Sequence, residues 1–246
     1  MATFALIHGA SDVGWYWHLV AAELEARSHR VVSPDLPCDD DAAGLAEYAD
    51  TVVDAIDAIE ALDATDAVGP GADRGPLVVV GQSFGGFTAP LVAERRPVDQ
   101  LVLVAGMIPA PGERGADWFA NTDWETDVQD QARRDGGLTG SQDPLVVFYH
   151  DVPRPLAEEA MSKERRQSST PGQSPWPLDR WPSVPTRFVL CTEDRMFPPD
   201  FMRRVAADRL GIVPDEIAAG HCVALSRPKE LADLLVGYAA GEENDG

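Results

Sequence analysis

Lysine is nearly absent from this 246-residue chain: Lys163 and Lys229 are the only two, beside 18 Arg. Against these 20 cations stand 26 Asp and 15 Glu, and the formal charge is −21. Such a field repels phosphate backbones and anionic lipid, so nucleic acid and acidic membranes are excluded as partners. Cysteine is also scarce. Cys38, Cys191 and Cys222 are widely spaced and odd in number, no C-x-x-C pair occurs, and the five His lack metal-ligand spacing. Three free thiols in a reducing compartment are expected, and the chemistry read below requires no metal or organic cofactor. No apolar run is long enough to span a bilayer. Met1-Ala2-Thr3 leads straight into Phe4-Ala5-Leu6-Ile7 without a basic n-region, so no signal peptide and a cytoplasmic location are expected. Aromatics are only 7% of the chain, yet apolar residues reach 44%, which excludes wholesale disorder.

What is present is alternation. Short apolar runs at Phe4–His8, Arg30–Pro34, Leu77–Gly81, Leu101–Gly106, Thr186–Cys191 and Glu216–Ala218 read as strands. Between them, His18–Arg27, Leu45–Leu62, Thr88–Arg96, Asp200–Leu210 and Lys229–Tyr238 carry helical periodicity. This pattern predicts an α/β fold, a mainly parallel six-stranded sheet with helices on both faces. Gly69–Pro76 reads as a loop, and the tail Gly241–Gly246 is expected to fray. Residues 107–185 break the rhythm, hold four of the six Trp and show no clear strand. They read as an ordered lid inserted into a core made of residues 1–106 and 186–246, since disordered linkers are poor in aromatics.

Gly81-Gln82-Ser83-Phe84-Gly85 is G-x-S-x-G between a strand and a helix, the setting of a nucleophile elbow. Glycines allow the sharp turn that exposes the Ser83 hydroxyl at the carboxyl edge of the sheet. The Phe84 amide then lies at a helix N-terminus, where it can face a developing oxyanion. A hydroxyl near its ordinary acidity needs a base and an orienting acid. His221 follows the last strand and is the candidate base; His18, His29 and His150 are weaker ones. Asp194 and Glu193 both follow the strand ending at Cys191, and position alone separates them poorly. The order Ser83, Asp194, His221 matches this architecture. After the first strand, the amide of Ala10 suits a second oxyanion donor, while His8 reads as a structural histidine.

Taken together, Phe4-Ala-Leu-Ile-His-Gly-Ala10 with Gly14-Trp15-Tyr16-Trp17, Pro34-Asp35-Leu36-Pro37, Gly81-Gln-Ser-Phe-Gly-Gly86, Cys191-Thr-Glu-Asp194 with Pro198, and Gly220-His221 with Leu225-Ser-Arg-Pro228 carry a resemblance. The chain resembles the α/β-hydrolase family, in the branch of plant-type methyl esterases and hydroxynitrile lyases, as a bacterial or archaeal relative. The resemblance implies the α/β-hydrolase fold and makes Asp194 the catalytic acid. It also implies oxyanion amides at Ala10 and Phe84. Four places depart from the pattern. Gln82 stands where His is usual, and Ser11-Asp12-Val13 where a Cys-His-Gly-like stretch is common. Cys222 and Gly9 occupy the positions where the lyases carry Lys and Thr.

The expected activity is hydrolysis of a small or medium carboxylic ester. The alternatives are a hydroxynitrile lyase or C–C hydrolase on the same residues, or a non-catalytic small-molecule binder. Trp118, Trp124, Phe148, Tyr149 and Trp176 are candidate pocket liners, although large aromatics more often serve as core. A homodimer is left open. The acidity has two readings, a solvated surface from a GC-rich genome or adaptation to high salt. Salt adaptation predicts a higher thermal midpoint in 2 M than in 0.1 M KCl, through screened carboxylate repulsion. Equal midpoints would remove that reading.

Overall fold

The computed structural model describes residues 1–66 and 75–241. Most of the Gly69–Pro76 loop and the tail beyond Gly241 therefore lie outside the described residues. The apolar runs become β1 (Thr3–Ile7), β2 (Arg30–Val32), β3 (Leu77–Gln82), β4 (Gln100–Val104), β5 (Thr186–Cys191) and β6 (Asp215–Ile217). They pair in parallel in the order β2-β1-β3-β4-β5-β6. The chain departs from β1 to β2 on one side and to β3 on the other. That change of direction opens a crevice at the carboxyl ends of β1 and β3, the usual binding edge of such sheets.

The helices are α1 (His18–Glu25), α2 (Leu45–Asp66), α3 (Ala89–Arg95), α4 (Gly115–Asn121), α5 (Trp124–Asp135), α6 (Pro144–Val147), α7 (Arg154–Lys163), α8 (Thr170–Gln173), α9 (Pro199–Leu210), α10 (Val223–Ser226) and α11 (Pro228–Ala239). Strand alternation sorts the core into two layers. Ala5, Ile7, Leu77, Val79, Leu101, Leu103, Phe188 and Leu190 face α2, α3 and α9. Phe4, Leu6, Val78, Val80, Val102, Val104 and Val189 face α1 and α11. Each fully buried aliphatic or aromatic side chain contributes roughly 1.5–3 kcal/mol. Cys38, Cys191 and Cys222 are free and buried, and burial pushes all three thiols up.

The segment between β4 and β5 is helical, carrying α4 to α8, and it packs into both layers. Trp118 and Trp176 enter the α2 side, while Tyr149, Val152, Ala157 and Ala160 enter the α1 side. Arg209 on α9 ties this segment down. Its guanidinium donates to Glu113 Oε1 (2.9 Å), to Glu113 Oε2 and to the Ile108 carbonyl. Burial would raise the Glu113 carboxyl, but hydrogen bonds from Arg209, the Ala110 amide and Asn121 outweigh it and hold it below its ordinary value.

A lowered folded-state value means that the pair stabilises the fold above the ordinary carboxylate pKa of about 4.3. The contribution is lost as pH falls through the folded-state value. Arg209→Met leaves a buried carboxylate without its partner and is expected to cost about 3 kcal/mol in urea unfolding at neutral pH. The gap from wild type should narrow in acid, where Glu113 is protonated in both proteins. Equal stability at neutral pH would count against this anchoring.

Candidate active site

The turn after β3 is strained. Ser83 sits at φ +49°, in the left-handed region, and opens a 3-10 turn over Ser83–Phe87. A serine held there is costly by about 1–3 kcal/mol, a strain that surrounding structure must impose. The surroundings do so by close approach. A Cβ on Gly81 would lie 2.7 Å from the Gly85 carbonyl oxygen, and one on Gly85 would lie 2.9 Å from the carbonyls of Ile7 and His8. The Met107 amide donates to the Ser83 carbonyl (2.9 Å) and ties the turn to the end of β4.

His221 and Asp194 meet through the edge of the sheet. The Thr192 amide donates to the Ile217 carbonyl (2.9 Å) and the Glu193 amide to the Ala219 carbonyl (3.0 Å), which lays the loop after β5 against the end of β6. Asp194 Oδ1 then accepts from the amides of Met196 (2.8 Å) and Phe197 (2.9 Å). Asp194 Oδ2 accepts from His221 Nδ1 at 2.7 Å, with both side chains buried. This fixes the ring so that Nε2 is its remaining nitrogen. Glu193, the competing carboxylate, is exposed. Phe148 and Phe197 flank the imidazole edge-on, at ring-centroid separations of 5.5 and 5.2 Å.

Ser83 and His221 line one cavity of about 550 Å³, together with Gly9, Ala10, Phe84 and Gln82. Among the described residues, no hydrogen bond holds the Ser83 hydroxyl or occupies the amides of Ala10 and Phe84. The cavity is thus bordered by a serine whose hydroxyl is unrestrained, by an imidazole, and by two residues whose amides are unoccupied among the described residues. Hydrogen bonds between nucleophile and base are often loose in resting sites and tighten on binding. The other four histidines lie elsewhere. His8 is neutral, burial pulling it down to about 4, and it bridges backbone: Nδ1 donates to the Gly9 carbonyl and Nε2 accepts from the Leu36 amide. His18, His29 and His150 contact backbone outside this cavity.

The aromatic expectation needs correction. Phe148 and Tyr149 line the cavity, but Trp118, Trp124 and Trp176 do not. Their indole N–H groups donate to the carbonyls of Ile108 (2.9 Å), Met196 (2.8 Å) and Phe87 (3.1 Å), which turns each ring into the packing. Phe119, Met107, Met196 and Phe197 supply apolar wall instead. Two adjacent residues support the site from outside the cavity: His150, one of the weaker candidate bases, and Asp151, which carries no sequence signal. His150 Nε2 donates to the Glu193 carbonyl (3.0 Å), beside Asp194, and Asp151 Oδ2 accepts from the Gly220 amide (2.9 Å), beside His221. One dipeptide from the segment between β4 and β5 thereby braces both loops of the His–Asp pair. Gln167 likewise accepts from the Ser11 amide (3.0 Å) and fixes the loop that carries Ala10.

Burial also acts on a carboxyl within the cavity: Asp12 is pushed up to about 7, with Glu164 and Asp35 adding to the shift and the Val13 amide and His221 opposing it. Among the described residues, no group of His, Cys, Asp and Glu has the arrangement of a metal site, and no helix is long and apolar enough to cross a membrane.

Relatives span the whole fold. Methylesterase 7 of Arabidopsis thaliana is 26% identical, with 96% of this chain and 95% of that protein aligned. Norfluorocurarine synthase 1 of a Strychnos species is 24% identical over 94% of this chain and 93% of its own. A pyrethroid hydrolase from Sphingobium faniae superposes with a TM-score of 0.71 at 22% identity, covering 98% of both chains. The model of the alpha/beta hydrolase family matches residues 4–234, and the sheet order, the serine turn and the paired His221 and Asp194 agree with it: the chain belongs to the alpha/beta hydrolase family.

Proposed function

We propose that the protein is a serine esterase acting on small or medium carboxylic esters. The observation that carries this reading is the buried 2.7 Å hydrogen bond of His221 to Asp194, opening onto the same cavity as a serine held at φ +49°. Ser83 Oγ attacks the ester carbonyl as His221 Nε2 takes its proton. Asp194 holds the tautomer and stabilises the imidazolium without taking the proton itself. The amides of Ala10 and Phe84 receive the oxyanion. His221 returns the proton to the leaving alkoxide, then activates a water that cleaves the acyl-enzyme. A cavity of about 550 Å³ suits an ester of modest size. The segment carrying α4 to α8 acts as the lid, since Phe119, Phe148, Tyr149 and Glu164 from it line the cavity. The relatives named for methylesterase and pyrethroid hydrolase activity point the same way.

A hydroxynitrile lyase is disfavoured. Departing cyanide needs a cation, and the residue after His221 is Cys222, whose thiol burial keeps neutral.

Ser83→Ala is expected to abolish p-nitrophenyl acetate turnover, by about 10⁴-fold or more in kcat, together with fluorophosphonate labelling. Turnover retained in that variant would overturn the nucleophile assignment. Asp151 is a positioning residue. Asp151→Ala should lower kcat about tenfold with KM little changed, because the Gly220 amide loses its acceptor and the imidazole drifts. Asp151→Asn, which keeps an acceptor, should restore most of the loss. An unchanged kcat in the Ala variant would show that the brace is dispensable.

A further inference from the structure

One residue of β3 is out of keeping with its row. Val78 and Val80 point into the layer against α1 and α11, together with Val102 and Val104 of β4. Gln82 is the next residue on that face of β3 and pairs with Val104. It puts a carboxamide where an aliphatic side chain would continue the core. Gln82 is only 3% exposed, and it lines the cavity shared by Ser83 and His221. A polar group buried in such a row is costly unless a partner meets it.

The surroundings orient the carboxamide. Nε2 donates to the His221 carbonyl in a long hydrogen bond (3.5 Å), and a carbonyl can only accept, so the N–H end must face it. Oε1 lies towards Gly9. A Cβ on Gly9 would sit 2.6 Å from Gln82 Oε1 and 3.1 Å from Ser83 Cβ, so the missing side chain makes room for the carboxamide beside the serine. Among the described residues, Oε1 accepts no hydrogen bond, yet it is not sealed inside the protein as the Thr88 and Ser226 hydroxyls are. The little surface that Gln82 keeps opens on the cavity. An acceptor so placed needs a donor. An ester group has none: both its oxygens accept, and the amides of Ala10 and Phe84 serve the carbonyl oxygen. Water, the second substrate of hydrolysis, is the reactant that donates.

We propose that Gln82 orients the hydrolytic water: its Oε1 accepts one O–H of the water while His221 Nε2 accepts the other. The inference rests on the esterase reading. The water oxygen bonds to the acyl carbon as one proton passes to Nε2, and the other proton stays on that oxygen, held by Gln82. The bond from the acyl carbon to Ser83 Oγ then breaks, and Oγ takes the proton back from Nε2. The carboxylic acid departs with the water's oxygen and its remaining proton, and Gln82 neither gains nor loses one. Two fixed acceptors aim the lone pair at the acyl carbon, a task to which a glutamine carboxamide is suited. Attack by Ser83 on the ester precedes this step and does not use the water, so Gln82 acts on one half-reaction.

The test separates the half-reactions with p-nitrophenyl acetate, whose acetyl group has no donor of its own for Oε1. Acylation is read from the pre-steady-state release of p-nitrophenolate and from the rate of fluorophosphonate labelling. Deacylation is read from the loss of the acetyl adduct, by intact mass, after the ester is removed. Gln82→Leu and Gln82→Met, neither of which carries an oxygen, should keep acylation within about twofold and slow deacylation about tenfold, so that acetyl-enzyme accumulates. Equal slowing of both half-reactions would make Gln82 a support for the Gly9–Ala10 loop and overturn the water site. Unchanged deacylation, or loss of labelling in both variants, would overturn it as well. The wild type separates the two ideas. Wild-type protein that is acylated and labelled, beside variants without selective slowing, removes the water site alone. Wild-type protein that is neither acylated nor labelled removes the esterase reading, and the water site with it.

Discussion

Three chain segments must touch at the carboxyl edge of the sheet for anything else here to function. The turn after β3 runs so close to the end of β1 that a Cβ on Gly85 would press on the Ile7 and His8 carbonyls. The same compression lifts Ser83 into a left-handed conformation that a serine does not choose. Parallel pairing of β3 with both β1 and β4 provides the force, since each strand is buried on both faces and cannot slip without exposing a whole apolar row. Core burial thus holds the Ser83 turn in tension.

The other half of the site is assembled from separate pieces. Asp194 follows one strand and His221 the next, and backbone hydrogen bonds between the segments after those two strands set their approach. Two amides saturate one oxygen of Asp194 and leave the other for the ring. A carboxylate so fully used keeps its direction, and the imidazole inherits it. The brace from His150 and Asp151 then couples this pair to the segment between β4 and β5, which lines part of the cavity. That segment and the His–Asp pair share hydrogen bonds, so neither can be displaced without disturbing the other.

Much of this is legible in the sequence, and the exceptions have physical reasons. The central strands announce themselves as apolar runs rich in Val and Leu, and the ends of all six fall within a residue or two of expectation. Glycine spacing around Ser83 is a signal because only a missing Cβ permits the approach. Asp194 and Glu193 are inseparable by position, since adjacent residues at a strand end point opposite ways and the choice depends on where the sheet buries one of them. The tryptophans mislead because aromatic content says that a segment is ordered without saying which way a ring turns. Asp151 and Gln167 give no signal, as each acts through a single backbone amide that is remote in sequence. The segment between β4 and β5 is the least readable, because its helices are short and start at prolines and turns rather than along a long periodic face.

The three cysteines have a practical consequence. Each is buried, each thiol is held in its neutral form, and no two are joined. An alkylating reagent therefore finds little thiolate in the native chain and reacts chiefly through opening events. Cys38 precedes α2, Cys191 closes β5 and Cys222 precedes α10, so the mass added at each position over time is a clock on the breathing of a different region of the fold.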